Sequence, residues 1–145
     1  MKTTRHIIIL ILVAFILHLV WENAQAPLFQ GYVSFPQHFP MCLMGTLGDV
    51  VITLAIYGVV ALLKNDFAWI MSIGKTDIIA LAIIGFFVAV GIEWHAMLSG
   101  RWAYTDAMPI IPYLQVGLAP VVQMIILLPS SIYIAARCVA VLYYP

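Results

Sequence analysis

The sequence predicts an all-α protein, a bundle of four transmembrane helices with both termini cytoplasmic. Three observations lead there. Of 145 residues, 65% are hydrophobic and only 8% are charged, against about 45–50% and about 25% in soluble domains. Four stretches reach the roughly 20 mainly apolar residues that cross about 30 Å of hydrocarbon. Sustained strand alternation is absent, which argues against a barrel. That leaves helices to satisfy the backbone in lipid. The length fits one membrane domain over residues 1–145, with no internal repeat.

The spans fall at about 7–26, 43–63, 78–98 and 113–136. Thr76-Asp77 offers an N-cap to the third. Pro109 and Pro112 break the chain before the fourth. Pro120 and Pro129 fall inside that helix and are expected to kink it. The first span has a second reading as a cleaved signal. Lys2 and Arg5 precede an apolar run, and Ala24-Gln25-Ala26 has the A-x-A form. The polar Glu22-Asn23 pair before that cut and Pro27 after it favour a retained span.

Lys and Arg in short loops mark the cytoplasmic side. Lys2, Arg5, Lys64, Lys75 and Arg137 share one side if both termini are inside, and only Arg101 falls opposite. With Asp66 and Asp77, the inner side carries +3. With Glu22, Asp49, Glu93 and Asp106 set against Arg101, the outer side carries −3. The net charge of zero therefore hides two opposite halves. No basic surface exists to neutralise phosphates, which excludes a nucleic-acid partner. The composition places the protein in a membrane, expected to be a bacterial inner membrane, with lipids as its partners.

Helical rise puts Glu22, Asp49 and Glu93 at one depth, about 6, 9 and 8 Å below the outer ends of their spans. Ionised residues at such depth face a bundle interior or cavity and mark function. These three are the candidate catalytic residues. His18, Glu22 and Gln25 share one face of the first helix. Asp49, Thr53 and Tyr57 share a face of the second. Ala89, Glu93 and Met97 align on the third, with His95 pointing elsewhere. Gln115, Ala119 and Gln123 lie along the fourth. Gly45, Gly48, Gly85 and Gly91 are placed to let helices approach closely.

Arg101 is the sole outer cation and the expected partner of one of the three acids, since a guanidinium pairs bidentately with carboxylates. Trp21, Trp94, Trp102 and Tyr104 gather at the same level. They read either as an interfacial belt or as a lining for an apolar or cationic ligand. The candidate substrate-binding set is His18, Trp21, Gln25, Arg101, Trp102, Tyr104, Gln115 and Gln123. The competing reading of all these groups is a structural network that fixes helix register. Asp106 reads as a solvated turn residue.

His38-Phe39-Pro40-Met41-Cys42-Leu43-Met44 holds soft ligands of the kind that suit Cu(I). Its spacing matches no metal motif, so no metal and no cofactor are assigned. Cys42 falls outside and Cys138 inside, so the two are not expected to pair. No nucleotide loop, zinc helix or Ser-His-Asp pattern is present.

Three segments, WENAQAPLF, LGDVVI and GRWAYTDAMPIIP…VGLAPVVQ, together resemble small bacterial membrane proteins that begin W-E-x-x-Q-x-P. That resemblance covers most of the chain and brings no activity with it. Trp21-Glu22 and Gly100-Arg101-Trp102-Ala103-Tyr104 also resemble, in type, segments of integral membrane terpene and carotenoid cyclases, although the chain is shorter than most of those. This second resemblance implies acid chemistry on an isoprenoid. Three functions are therefore expected to compete. One is an intramembrane isomerase or cyclase acting on a lipid-like molecule. Another is a binding or transport protein for a small cation or polar solute, working as a homo-oligomer. The third is an accessory membrane subunit.

Overall fold

The computed structural model describes residues 2–143, without the side chains of residues 2–4 and 143. The Lys2 side chain, one of the expected inner cations, lies outside the described residues. Four helices carry the fold: α1 (Lys2–Gln25), α2 (Phe35–Lys64), α3 (Lys75–Leu98) and α4 (Leu118–Tyr143). All four are long and apolar enough to cross a membrane. The protein is an all-α four-helix bundle of the integral membrane type.

α4 is the central helix. It packs along α1 on one side and α3 on the other, and α2 packs on α1. Val121, Met124, Leu128, Ile132, Ala135 and Val139 are buried along α4. Leu10, Ala14 and His18 recur every fourth residue on the buried face of α1, the spacing that keeps one helical stripe on a neighbour. Outward faces are equally apolar, with Leu12, Ile16, Val51, Ile83 and Phe87 exposed. Leu-rich outer faces suit helices whose surroundings are lipid rather than water. A chain cut after Ala26 would lose the whole of α1 and with it this core.

Helix ends differ from the sequence expectation where proline is involved. α2 begins at Phe35 rather than near Leu43 and contains Pro40. Pro36 sits in its first turn, where the missing N–H is not needed. α4 begins at Leu118 rather than Tyr113, so Pro120 occupies its first turn. The kink expected at Pro120 has no cause there, and Pro129 alone lies in the helix interior. The cap of α3 lies two residues before Thr76, where the sequence offers one. Gly74 is the N-cap residue, and the Asp77 carboxylate accepts from its N–H at 3.1 Å. Asn65 ends α2 in the left-handed region at φ 51°, which asparagine tolerates. Lys64, at the negative end of α2, reaches Asp77 at 2.6 Å and ties α2 to α3.

The α1–α2 and α3–α4 loops form a lid over one end of the bundle. The α1–α2 loop pairs with the α3–α4 loop through Gln30 N–H to Ala103 O at 2.9 Å and Thr105 N–H to Leu28 O at 3.0 Å. A two-stranded antiparallel hairpin, β1 (Ile110–Ile111) with β2 (Val116–Gly117), then leads into α4. At the opposite end, the Tyr57 hydroxyl donates to Phe67 O, and Trp69 Nε1–H donates to Tyr57 O at 3.3 Å.

Candidate functional site

α1 supplies the first wall. Its i, i+4, i+7 spacing turns His18, Glu22 and Gln25 toward α2 and α4. Gln25 Nε2 donates to Glu22 Oε1 and to Gln123 Oε1, both at 2.8 Å. Gln25 Oε1 accepts from Trp21 Nε1 at 3.1 Å. Gln123 on α4 is the hub. Its Nε2 lies 2.9 Å from Glu22 Oε1, 2.7 Å from Asp49 Oδ2 and 3.1 Å from His18 Nδ1. His18 Nδ1 lies 3.1 Å from Asp49 Oδ2. If Nδ1–H donates to Asp49, the two Gln123 N–H groups divide between Glu22 and Asp49, and His18 Nε2 remains an open acceptor.

α3 supplies the second wall. Glu93 is buried, and its Oε2 accepts from the Tyr104 hydroxyl and from Trp102 Nε1 at 3.3 Å. Of the three acids expected at one depth, Glu22 and Asp49 share the Gln123 amide, and Glu93 is held separately by Tyr104 and Trp102. One oxygen of each is occupied. Glu22 Oε2, Asp49 Oδ1 and Glu93 Oε1 accept no hydrogen bond among the described residues.

Glycine makes room for one of them. A Cβ on Gly45 would stand 2.7 Å from Glu22 Oε2, so a side chain there would make the Glu22 carboxylate shift. A Cβ on Gly85 would stand 2.5 Å from Met124 O, so α3 rides directly on the α4 backbone. Gly48 and Gly91 have nothing within 4 Å of such a Cβ and do not serve the close approach expected of them. Cys42 donates its thiol to Glu22 O at 3.6 Å, one of the carbonyls that the end of α1 leaves open. Gly45 and Gly85 thus make the close approach expected of them, whereas the Cys42 contact has no signal in the sequence.

Two expected members stand elsewhere. Arg101 does not pair with an acid. Among the described residues the ion pairs are His18–Asp49 and Lys64–Asp77. Backbone geometry is the reason. Gly100 at φ 66° ends α3, with Gly100 N–H to Met97 O at 3.2 Å and Arg101 N–H to Ala96 O at 2.9 Å. This Schellman turn fixes Arg101 outside the bundle, exposed, with its guanidinium 5.6 Å from the Trp102 ring. Gln115 precedes α4, exposed in the hairpin turn at φ 55°, and shares no face with Gln123. Trp94 is half-exposed and caps the same hairpin through Leu114 O at 2.7 Å. Met97 is half-exposed, and Ala96 takes the buried position instead. Asp106 is exposed.

The soft-ligand segment is divided by the helix it belongs to. Cys42 is buried and His38 lies against the Tyr32 ring, while Met41 and Met44 point outward. Among the described residues no three His, Cys, Asp or Glu side chains gather as metal ligands. Cys42 and Cys138 are both free thiols. A surface cleft of about 230 Å³, lined by Ile78, Pro129, Ser130, Tyr133 and Ile134, shares no lining residue with the acid cluster.

Tyr104 lies outside the spans, in the lid. Burial pushes its hydroxyl well above the ordinary tyrosine range, and the Glu93 carboxylate that accepts from it adds to the shift. The protonated hydroxyl is thus favoured in the folded state. Its contribution is complete below the unfolded value near 10 and is lost as pH rises toward the higher folded value. Stability measured from pH 8 upward is expected to fall beyond about 10 and to fall less in Tyr104→Phe. Equal slopes in the two proteins would show that the hydroxyl does not couple to the fold.

Comparison with family models, with curated proteins and with solved structures finds no match to this chain.

Proposed function

We propose that this protein is an intramembrane enzyme of the isomerase or cyclase type, acting on a lipid-like substrate of the isoprenoid class. One observation carries the reading. Three carboxyl groups from three helices lie in the outer half of the bundle, Glu22 and Asp49 joined through Gln123 and Glu93 held by Tyr104 and Trp102, and among the described residues the salt bridges of Lys and Arg go elsewhere. A carboxyl held out of water can deliver a proton to an alkene carbon as general acid, and a second can remove one from a neighbouring carbon. Such a reaction consumes no net proton. The Trp102 and Tyr104 rings beside Glu93 would steady the carbocation formed between the two steps. Substrate would reach the acids from the outer leaflet between α2 and α3, which are not among the helix pairs that pack along their length. The positive-inside charge pattern supports cytoplasmic termini in a bacterial inner membrane.

The test is incubation of the purified protein with prenyl alcohols and hydrocarbons in deuterated water. Product carrying solvent deuterium is expected. Glu22→Gln, Asp49→Asn and Glu93→Gln should each lower turnover by about 10²-fold or more. Full turnover in all three would remove the acid mechanism. The unpaired negative charge also favours a second reading, capture of a small cation. Cation-dependent stabilisation lost in the same variants, with no deuterium in any product, would select it.

A further inference from the structure

Pro129 and Ser130 set two compact side chains side by side on α4. With Ile78, Tyr133 and Ile134 they line the cleft of about 230 Å³. Tyr133 and Ile134 are each more than a third exposed, so the cleft opens on the surface that faces lipid.

Its two walls belong to one helix contact. A Cβ on Gly85 would stand 2.5 Å from Met124 O, which fixes the level at which α3 and the antiparallel α4 touch. Counted from that contact at equal rise, Ile78 comes level with Ser131, and Lys75 with Ile134. Lys75 and Ile78 are three residues apart and share a face of α3. From α4, Arg137 Nε donates to the Tyr133 hydroxyl at 3.1 Å, and the guanidinium lies 5.0 Å from the Tyr133 ring. That contact draws the guanidinium back by one turn, to the level of Tyr133. Lys75 and the Arg137 guanidinium, one from each wall, therefore stand at one height, at the end of the cleft away from the lid. The neighbouring acid is engaged elsewhere, since Asp77 pairs with Lys64 at 2.6 Å. With Nε on Tyr133, the terminal guanidinium nitrogens keep their N–H groups for a bidentate acceptor. The Tyr133 hydroxyl accepts from Nε and keeps its own proton to donate.

We infer that this cleft holds an acyl chain of one anionic phospholipid, with the lipid phosphate on Arg137, Tyr133 and Lys75. Charge and length select this occupant. Arg5, Lys64, Lys75 and Arg137 gather at this end of the bundle with Asp66 and Asp77, whereas the lid end holds Glu22, Asp49, Glu93 and Asp106 with Arg101. An anion is attracted to the first end and repelled by the second, and basic pockets between membrane helices suit anionic head groups. Arg137 and Pro129 are eight residues apart, about 12 Å of rise, within the roughly 15 Å of one hydrocarbon leaflet. A phosphate held by Arg137 at the membrane surface thus lays its chain along the cleft as far as Pro129. A soluble anion would gain nothing from the apolar walls. No residue of this site belongs to the acid cluster, so the inference does not rest on the reaction proposed above.

The experiment is native mass spectrometry of the full chain in a neutral detergent, with equal amounts of dioleoyl phosphatidylglycerol and dioleoyl phosphatidylcholine. One phosphatidylglycerol per chain is expected, retained about 10-fold or more better than phosphatidylcholine because two basic residues act on it. Arg137→Gln and Lys75→Gln should each lower that retention about 5-fold, the effect of one basic residue at an anionic head group. Both residues are exposed, so these variants leave the bundle intact. Ser130→Phe fills the cleft, leaves every charge in place and should lower retention as far. Equal retention of the two lipids overturns the inference. So does unchanged retention in Ser130→Phe, which would reduce the effect to diffuse charge. Displacement of the lipid by millimolar inorganic phosphate would overturn it in favour of a soluble anion, and a lipid-free dimer would give the cleft to a second copy of the chain.

Discussion

Gln123→Leu should cost about 3 kcal/mol of stability, the upper end of the range for leaving hydrogen-bonding groups without their partner, raised here because the acceptors are part-buried carboxyls. Leucine fills a similar volume, so cavity formation contributes little. The loss is electrostatic. Gln123 Nε2 faces Glu22 Oε1 at 2.9 Å and Asp49 Oδ2 at 2.7 Å, and Gln123 Oε1 accepts from Gln25. Without the amide, two acids from two helices face each other with only His18 between them. Ordinary hydrogen bonds between membrane helices average about 0.6 kcal/mol, so a hub of neutral contacts would give about 2 kcal/mol at most. The two magnitudes distinguish the cases. Equilibrium unfolding in bicelles should return the larger figure, and Gln123→Leu should cost clearly less in an Asp49→Asn background, because one of the acids it shields is gone. A small loss, additive with Asp49→Asn, would make Gln123 simple interhelical glue.

Depth arithmetic assigns Glu22, Asp49 and Glu93 one level because helical rise is fixed and spans have known length. It does not give their partners: Glu22 and Asp49 share Gln123, and Glu93 turns to the lid aromatics. His18 and Gln25 followed from the period of α1. Connections were less legible. Charge matches Arg101 to the acids, yet its position is decided by a Schellman turn that charge does not enter. The sequence places Gln115 on α4 because an apolar run does not reveal a hairpin. The turn there puts Tyr113 and Gln115 at φ 67° and 55° with neither glycine nor asparagine to announce it. The lid pairing of Leu28 and Gln30 with Ala103 and Thr105 joins segments some 75 residues apart and has no local signature. Trp102 and Tyr104 were in the candidate set as aromatics. Their actual role toward Glu93 comes from their N–H and O–H groups, whose aim only the lid determines.

The four glycines illustrate the same limit, and they yield the second large effect. Gly85→Ala should destabilise by about 1–3 kcal/mol, the cost of overpacking a filled contact, and Gly85→Val by more. The new Cβ would stand 2.5 Å from Met124 O and 2.9 Å from Met124 C. Both atoms are backbone, so relief requires α3 and α4 to separate rather than a side chain to turn. Gly91→Ala, less than two turns further along α3, meets nothing within 4 Å. It should stabilise by about 0.5–1 kcal/mol through the lower chain entropy of alanine. Opposite signs for one substitution on one helix are the expected result in thermal or bicelle unfolding. Losses of equal size at both positions would place the helix contact elsewhere. The consequence extends to the site. Met124 adjoins Gln123, and Glu93 lies on the helix that would be pushed away. A shift of α4 at Met124 therefore moves the amide that holds Glu22 and Asp49 and widens their distance from the third acid. If the acids work together, Gly85→Ala should lower activity further than its stability loss accounts for, although residue 85 touches no part of the site.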